Sequence, residues 1–341
     1  MKRTLSILLA LTLLLAGPVA LAGCGSGDEY DEGTYEETEA PVEETEAVEE
    51  TTAPVGGYGD SARGHLEAIT GIGARWSGSE EEAETAQYIQ DAFTEMGYEP
   101  EVRPFTALDE DSGEEIESAN VVAVKDGDSE QQIVVGAHYD SSDESLGADD
   151  NASGVAVLLE AAELLAGEST PYTVVFVAFG GEEAGILGST AYVGAMEADE
   201  IENTILFINM DSIVAGDIAY IYSDGGDGDP ARDWALDWAA GNGYDVATVE
   251  NADLSQEGES TADYAPFLEA GIPWIYFEAT NWALGNEDGY TQVDPQFGED
   301  GAIIHTAYDN LAYLDETFPG RVDAHLDLYV AVLYQLLTAY R

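Results

Sequence analysis

The chain has 341 residues, and its 70 Asp and Glu against 9 Lys and Arg give a formal net charge of −61. That balance excludes a nucleic-acid binder that works through a basic face, because phosphate contacts need clustered Lys and Arg. A disulfide-stapled scaffold is excluded too, since there is 1 cysteine. With 45% hydrophobic and 10% aromatic residues, the chain can form a large core and is too aromatic for a fully disordered acidic protein.

The first 23 residues have the pattern of a bacterial leader peptide. A positive start, Lys2-Arg3, precedes an apolar run from Leu5 to about Ala16 that is too short to span a membrane. The run closes with Leu21-Ala22-Gly23-Cys24, which resembles the lipobox of bacterial lipoproteins. We therefore predict a signal peptide over residues 1–23 and a lipid on Cys24, which anchors the protein to the outer face of the cell membrane. An ordinary secretory leader with a secreted product is the alternative.

Residues 24–57 differ in composition from the rest of the chain. Glu, Asp, Thr, Gly, Ala and Pro dominate, Lys and Arg are absent, and there is no apolar periodicity that could build a core. The segment is predicted to be a disordered acidic tether with a reach of roughly 30 Å, extended further by the repulsion of like charges. Residues 58–341 are predicted to form one catalytic domain.

Helical and strand patterns alternate from residue 58 onward. Three helices are predicted: Glu81–Met96, Ser153–Ala166 and Val322–Tyr340, and Ser153 is placed to cap the second of them. Four strands are predicted: Ile133–Val135, Thr173–Phe179, Ile205–Ile208 and Trp274–Phe277. The strands are short continuous apolar runs, as in sheets buried on both faces. This order implies right-handed crossovers and an α/β fold, a three-layer α/β/α sandwich with a mostly parallel, mixed central sheet.

Polar motifs follow the predicted strands at the points where the strands end. They are GAHYDS at residues 136–141, GADDNASG at 147–154, GGEEAGILGS at 180–189, NMDS at 209–212 and HTAYD at 305–309. Because the ligand site of such a sheet lies beyond the carboxyl ends of its strands, His, Asp and Glu side chains should meet there. Imidazoles with carboxylates are ligands suited to zinc and related divalent ions.

Most acidic residues of so acidic a chain are expected to be solvated surface charges, and this is the prediction for Asp143, Glu144 and Asp149. Glu182-Glu183 differs, because two adjacent carboxylates directly after a seven-residue apolar strand should lie near the edge of the core. His65 and His325 lie in amphipathic helical stretches, which favours packing or exposed positions over a role in the site.

The five motifs, in this order, resemble those of zinc aminopeptidases of the aminopeptidase Y type, co-catalytic metallopeptidases of clan MH. The resemblance spans roughly Ser61 to the C-terminus. It implies a three-layer α/β/α fold with two zinc ions that share one bridging carboxylate. It also implies a metal-dependent exopeptidase that hydrolyses the N-terminal bond of peptide or protein substrates with a free N-terminus.

Carried over position by position, the resemblance implies the metal ligands His138, Asp150, Glu183, Asp211 and His305. Asp150 matches the bridging aspartate and Glu182 the general base, while Asp140 matches the carboxylate that orients the imidazole of His138.

Two positions depart from the family pattern. Ala262-Asp263-Tyr264 stands in place of Ser-Asp-His, and Ile304 stands where some relatives have a tyrosine. The transition state would then be stabilised by Tyr308, by Tyr290 or by the metal alone. Glu278 is a candidate to hold the ammonium group of the substrate.

Alternative functions come from other classes. A serine hydrolase of the α/β type is excluded because no G-x-S-x-G motif is present. Within the same fold, a carboxypeptidase, a dipeptidase or a glutaminyl cyclase-like enzyme stays open. A ligand-binding surface lipoprotein is the non-enzyme alternative, although such proteins typically lose ligands that this chain keeps. No nucleic-acid partner is predicted, and the membrane is expected to be reached through the lipid anchor only.

Overall fold

The computed structural model describes residues 57–108, 113, 115–143, 145–223, 225–249, 262–285 and 290–341. The predicted signal peptide, the lipidation site Cys24 and nearly all of the predicted tether lie outside the described residues, as does Glu144.

One mixed sheet forms the centre of the molecule. Its strands are β1 (Glu101–Leu108), β2 (Glu115–Lys125), β3 (Gln132–His138), β4 (Thr173–Phe179), β5 (Thr204–Met210), β6 (Ile218–Tyr222) and β7 (Trp274–Thr280). Their order across the sheet is β1-β2-β4-β3-β5-β7-β6. The four central strands β4, β3, β5 and β7 run parallel to one another. On one side β2 pairs antiparallel with β4 and β1 with β2, and on the other side β6 pairs antiparallel with β7. The predicted mostly parallel, mixed sheet is confirmed.

Helices cover both faces of the sheet. They are α1 (Asp60–Ile72), α2 (Glu80–Glu95), α3 (Gly154–Leu165), α4 (Leu187–Ala195), α5 (Ala198–Asn203), α6 (Asp229–Gly241), α7 (Tyr264–Glu269), α8 (Leu311–Thr317) and α9 (Arg321–Ala339). One hydrophobic cluster contains buried residues of α1, α2, α3, α6 and α9, and a second contains those of α4 and α7. The chain therefore has the predicted three layers. Among the described residues, none of the helices combines the length and the hydrophobicity that a membrane span requires.

The alternation of side chains along β3 explains why the sequences of the central strands are continuous apolar runs. Ile133 and Val135 belong to the cluster under α1, α2, α3, α6 and α9, whereas Val134 belongs to the cluster on the opposite face. Because successive residues of a strand point to opposite faces, a strand covered by helices on both sides must be apolar at every position.

The helix α2 begins one residue earlier than predicted. Ser79 is its N-cap and accepts a hydrogen bond from the Glu82 amide at 3.0 Å. Ile89 and Phe93 are fully buried on the face that packs against the sheet. Gly97 follows the helix with a φ of 94°, a left-handed conformation in which glycine ends helices without a steric penalty.

The predicted cap of α3 is wrong. Ser153 already has helical backbone angles, and its hydroxyl donates to the Asp149 carbonyl at 2.6 Å instead of accepting from the first turn of α3. An N-cap residue needs non-helical backbone angles, so Ser153 cannot take that role. The Asn151 side chain accepts from the Gly154 amide at 2.9 Å in its place.

Two histidines lie in helices, as predicted, and pack there. On α1, His65 Nδ1 lies 2.7 Å from the hydroxyl of Tyr88. On α9, His325 packs against the ring of Tyr329, and its burial lowers its pKa to about 4. Neither belongs to the groups of side chains that could hold a metal ion among the described residues.

Candidate metal centre

Five potential metal ligands meet beyond the carboxyl ends of the parallel strands. Each comes from a different segment: His138 ends β3, Glu183 follows β4, Asp211 follows β5, Asp150 lies in the turn before α3, and His305 lies in the loop before α8. Parallel strands place their carboxyl ends at one edge of the sheet, which explains why segments far apart in sequence supply one site.

The carboxylate of Asp150 joins two clusters of ligands. Its Oδ1 lies 3.1 Å from Nε2 of His138, and its Oδ2 lies 3.0 Å from Nε2 of His305. Asp211 completes the first cluster, with Oδ1 at 3.4 Å from His138 Nε2, and Glu183 completes the second, with Oε2 at 3.1 Å from His305 Nε2. Within each cluster the ligand atoms lie within 4.8 Å of one another. The two clusters share Asp150 alone.

The donor set fits divalent cations. Each imidazole Nε2 faces two carboxylate oxygens, and Oε1 of the partly buried Glu183 has no hydrogen-bond partner. Buried carboxylates without compensating partners are costly, and a cation between them removes that cost. Burial lowers the pKa of His138, yet the carboxylates around it, Asp211 first, raise it well above its ordinary value. Nitrogen and oxygen ligands of this kind suit zinc.

Asp140 orders the loop that carries the two glutamates. Its Oδ1 accepts from the Glu182 amide at 3.0 Å, and its Oδ2 accepts from the Glu183 amide at 3.1 Å. Ser77 adds a hydroxyl at 2.7 Å. The contact with His138 Nδ1, at 3.5 Å, is longer than these three. The carboxylate of Asp140 therefore fixes the backbone of both glutamates. It also lies beside the imidazole of His138, which it was predicted to orient.

The prediction that Asp149 is a solvated surface charge is wrong. The side chain is completely buried, and Oδ1 accepts from the amides of Val214 and Ala215 at 2.7 and 2.9 Å. Its Oδ2 accepts from Nε2 of Gln292 at 2.6 Å, and burial raises its pKa to about 7. These partners come from loops more than sixty residues away, which local sequence patterns do not reveal. Asp143, by contrast, is exposed as predicted.

Two further buried side chains hold the loops of the candidate metal centre, and neither was singled out from the sequence. Gln292 accepts, through its Oε1, the two backbone amides that immediately precede His305, each at 3.0 Å. Asp309 accepts the amide of Asp149 at 2.6 Å and that of Asp150 at 3.2 Å. The aspartate of the HTAYD motif thus positions the proposed bridging residue. Its place four residues after the motif histidine was the available signal.

Arg75 is a third residue that the sequence reasoning missed. It is fully buried, and burial lowers its pKa to about 10. Its guanidinium donates to four backbone carbonyls, those of Tyr139 at 2.9 Å, Gly73 at 3.1 Å, Leu146 at 2.7 Å and Gly147 at 3.0 Å. One planar group with five donors thereby ties the strand end after His138 to the loop before Asp150.

We expect Arg75→Lys to lower the free energy of unfolding by at least about 2 kcal/mol, because an ammonium group cannot reach four carbonyls and leaves buried acceptors unpaired. Arg103→Lys is the matched control, since Arg103 is 42% exposed and pairs with Glu101 at 2.9 Å, a site worth less than about 1 kcal/mol. Urea unfolding of both variants measures the difference. Equal stability of the two variants would contradict the assigned role.

A cavity lined by both charged and aromatic side chains opens beside the ligand clusters. It is lined by the metal-centre residues His138, Asp150, Asp211 and His305, by Glu182, Ser212, Glu278 and Ile304, and by the aromatic residues Tyr222, Tyr264, Tyr276, Trp282 and Tyr290. Of the two tyrosines considered from the sequence, Tyr290 lies on this wall, whereas Tyr308 is 41% exposed and packs against Tyr313. Burial raises the pKa of Glu182 well above its ordinary value, and that of Glu278 to about 8.

The sequence matches a family model and several known proteins. The model of peptidase family M28 matches residues 120–329, more than half of the chain. The alkaline phosphatase isozyme conversion protein of Escherichia coli (strain K12) is 34% identical over 278 residues, covering 73% of this chain and 81% of that protein. Aminopeptidase YwaD of Bacillus subtilis (strain 168) is 31% identical over 207 residues, covering 60% of this chain and 40% of that protein.

The probable lipoprotein aminopeptidase LpqL of Mycobacterium tuberculosis (strain ATCC 25618 / H37Rv) is 34% identical over 174 residues, covering 48% of this chain and 34% of that protein. The chain thus spans less than half the length of these last two relatives.

Solved structures with the same fold extend the comparison. A zinc aminopeptidase from Bacillus subtilis aligns with a TM-score of 0.66 at 18% identity, covering 83% of this chain and 96% of that one. A glutaminyl cyclase from Porphyromonas gingivalis aligns with a TM-score of 0.63 at 20% identity, covering 82% and 98%. At such identities these likenesses establish the shared fold. On the strength of the sequence match over residues 120–329, the chain belongs to peptidase family M28 and is a hydrolase that acts on peptide bonds.

Proposed function

We propose that the protein is an aminopeptidase that uses two zinc ions, held on either side of Asp150, to remove N-terminal residues from peptides or proteins. The observation that carries this proposal is the position of Asp150, whose two oxygens lie 3.1 and 3.0 Å from two different imidazoles. His138, Asp150 and Asp211 would hold one ion, and Asp150, Glu183 and His305 the other. Zinc ions bound there would polarise the scissile carbonyl and lower the pKa of a nearby water.

Glu182 supplies the general base in this proposal. Its carboxylate lines the cavity beside the ligands, and it is not a member of either ligand cluster. It takes a proton from the attacking water and returns one to the nitrogen of the leaving amine, which lets one carboxylate serve both halves of the reaction. Burial raises the pKa of Glu182, and a base is most effective when its pKa lies near the working pH. Asp140 holds the Glu182 backbone in place.

A panel of substrates tests the proposed reaction. Aminoacyl-p-nitroanilides, N-acetylated peptides and peptides with N-terminal glutamine are incubated with the protein, with and without a chelator. Aminopeptidase activity predicts hydrolysis of the unblocked substrates alone, loss of that hydrolysis with the chelator, and recovery on addition of zinc. Cleavage from the carboxyl end would favour a carboxypeptidase. Ammonia release from N-terminal glutamine without hydrolysis would favour the cyclase reaction of the Porphyromonas gingivalis protein.

We also propose that the mature protein is anchored by a lipid at the cell surface, with residues 1–23 removed, residues 24–57 as an acidic tether and residues 58–341 as the catalytic domain. The leader pattern that ends in Leu21-Ala22-Gly23-Cys24 supports the anchor. A relative that is itself named a probable lipoprotein aminopeptidase adds to that support. The tether would hold the catalytic cavity away from the membrane, within reach of peptides in solution.

Cys24→Ser should abolish lipid attachment, because the hydroxyl cannot replace the thiol that carries the lipid, and should move the protein to the medium or leave its leader uncleaved. Membrane fractionation and the mass of the mature N-terminus measure both effects. Thr34→Ala, a change in the predicted tether, is the control and should fractionate as the wild type does. A Cys24→Ser protein that is processed and membrane-bound like the wild type would contradict the anchor.

A further inference from the structure

A second carboxylate besides Asp140 holds the loop that carries the proposed base. Four successive backbone amides, those of residues 180–183, lead from the end of β4 to the two glutamates. Their acceptors are Oδ1 of Asn120 at 3.3 Å for residue 180, Oε1 of Glu82 at 3.1 Å for residue 181, and Oδ1 and Oδ2 of Asp140 at 3.0 and 3.1 Å for residues 182 and 183. All three acceptor side chains are buried. Buried side chains therefore fix the path of this loop at every residue from 180 to 183.

Glu82 joins three segments of the chain through one carboxylate. Its Oε2 accepts from the Gly78 amide at 2.6 Å, and its Oε1 accepts from the Ser118 hydroxyl at 2.6 Å and from the Gly181 amide at 3.1 Å. Hydrogen bonds to an ionised carboxylate are among the stronger ones in proteins. The residue thus ties the segment before α2 and the strand β2 to the loop that follows β4.

Capping of α2 explains only part of this arrangement. Glu82 is the third residue of that helix, where a glutamate commonly reaches back to an amide at the helix start, as Oε2 does with Gly78. The bond from Oε1 to the Gly181 amide spans 99 residues of sequence and satisfies no group of the helix. Gly181 has a φ of 70°, so the chain turns there in a left-handed conformation directly before Glu182. Glu82 therefore holds the turn from which the proposed base projects.

We propose that Glu82 is a positioning residue for Glu182: by holding the Gly181 amide, it keeps the base where it can take a proton from the attacking water. This inference rests on the proposed aminopeptidase function. Asp140 accepts the amides of both glutamates, so loss of Glu82 frees the loop on the side of β4 and leaves the amide of the candidate ligand Glu183 held. Proton transfer should therefore slow while the metal content stays near the wild-type level, because proton transfer depends on the distance between the base and the water.

Glu82→Ala should lower kcat by roughly 10- to 100-fold, the effect of a small displacement of a catalytic group, while KM and the zinc content change less than about 3-fold. Steady-state kinetics of the zinc-loaded protein, on the unblocked aminoacyl-p-nitroanilide that the wild type hydrolyses fastest, measure kcat and KM. Metal analysis of the same preparation measures zinc. If Glu82→Ala does not fold, Glu82→Met replaces it in the same comparison, because methionine fills the space without an oxygen acceptor.

Ser79→Ala is the matched control, because it removes the cap of the same helix and leaves the carboxylate of Glu82 in place. The Ser79 hydroxyl accepts from the Glu82 amide at 3.0 Å, and its loss should lower the stability of the fold without changing kcat of the folded protein. A value of kcat in Glu82→Ala equal to that of Ser79→Ala would overturn the proposal, since the carboxylate would then serve the helix alone. A fall in kcat that matches a loss of zinc would overturn it too.

Acetate tests the same role by chemical rescue. A cavity of about 360 Å³ adjoins Glu82 and is lined also by Ser79, Ser118 and Tyr139, so a small molecule can reach the donors that truncation to alanine leaves unpaired. Acetate replaces the removed carboxylate and should restore part of kcat in Glu82→Ala with saturation. Acetamide, which has nearly the same size and no charge, should not. Rescue by both compounds alike, or by neither, would contradict the role of the carboxylate.

Hydrogen exchange of residues 180–187, measured by mass spectrometry, separates the positioning role from the proposed function because it needs no catalysis. Glu82→Ala should speed exchange of this segment, and Ser79→Ala should leave it at the wild-type rate. If the wild type hydrolyses no anilide but exchange responds in this way, the proposed function fails alone. Unchanged exchange in Glu82→Ala would overturn the positioning role, whatever the activity.

Discussion

Glu182→Gln should lower kcat by roughly 100- to 10,000-fold, the contribution expected of a general base, while the metal content stays at the wild-type level. Glutamine keeps the shape and the hydrogen-bonding reach of the side chain but cannot accept a proton from water. Asp140 holds the backbone of residue 182 through its amide, so the loop should keep its conformation in the variant. Steady-state kinetics on an unblocked aminoacyl-p-nitroanilide, with metal analysis of the same preparation, measure both quantities.

Glu183→Gln is the matched control for that experiment. The two glutamates are adjacent, and Asp140 receives both of their amides. However, the Glu183 carboxylate lies 3.1 Å from the imidazole of His305, within a ligand cluster. Its loss should reduce the metal content as well as the activity. Retention of most of the turnover by Glu182→Gln, with its metal intact, would show that another group takes the proton.

Metal analysis should find about two zinc ions per chain, and substitution of either histidine ligand should remove one ion and leave the other bound. His138→Ala should weaken the site shared with Asp211, and His305→Ala the site shared with Glu183, so each variant should keep close to one ion. Asp150→Ala should lose both, because its two oxygens face the two imidazoles. Metal content after dialysis, followed by zinc titration of the stripped protein, measures the two sites separately.

His65→Ala serves as the control, because His65 lies on α1 and contacts Tyr88, away from the ligand clusters. It should retain the wild-type metal content. A wild-type stoichiometry of one ion that added zinc does not raise would contradict the shared role of Asp150 and would favour a cyclase-like centre.

The central sheet was predictable because its strands are buried on both faces. Thr173–Phe179 has the same bounds in the sequence prediction and in the structure, since every position after Thr173 is buried in one of the two hydrophobic clusters. The edge strand β1 was not predicted. Its first four residues are exposed, and it carries Pro104, so neither an apolar run nor an alternation marks it. Strands of that kind are defined by pairing with a neighbour, as β1 pairs with β2.

The candidate ligands could be named from the sequence because each follows an apolar strand or lies in a motif that resembles those of a known family. The residues that hold the ligand loops in place could not be named from the sequence. No sequence pattern distinguishes Asp149 from the other acidic residues, which total 70 with it. In the structure it is buried, and it accepts hydrogen bonds from the amides of Val214 and Ala215 in a distant loop. Arg75 satisfies carbonyls of segments more than sixty residues away, such as that of Leu146. Such long-range contacts exist only after the fold has formed, and no local pattern encodes them.

The most direct test of the two-metal centre is anomalous diffraction at the zinc absorption edge from crystals of the zinc-loaded protein. We predict two peaks about 3.5–4 Å apart, one between His138 and Asp211 and the other between His305 and Glu183, with one oxygen of Asp150 directed at each. A single peak at full zinc loading, or two peaks that do not share Asp150, would contradict the proposed centre.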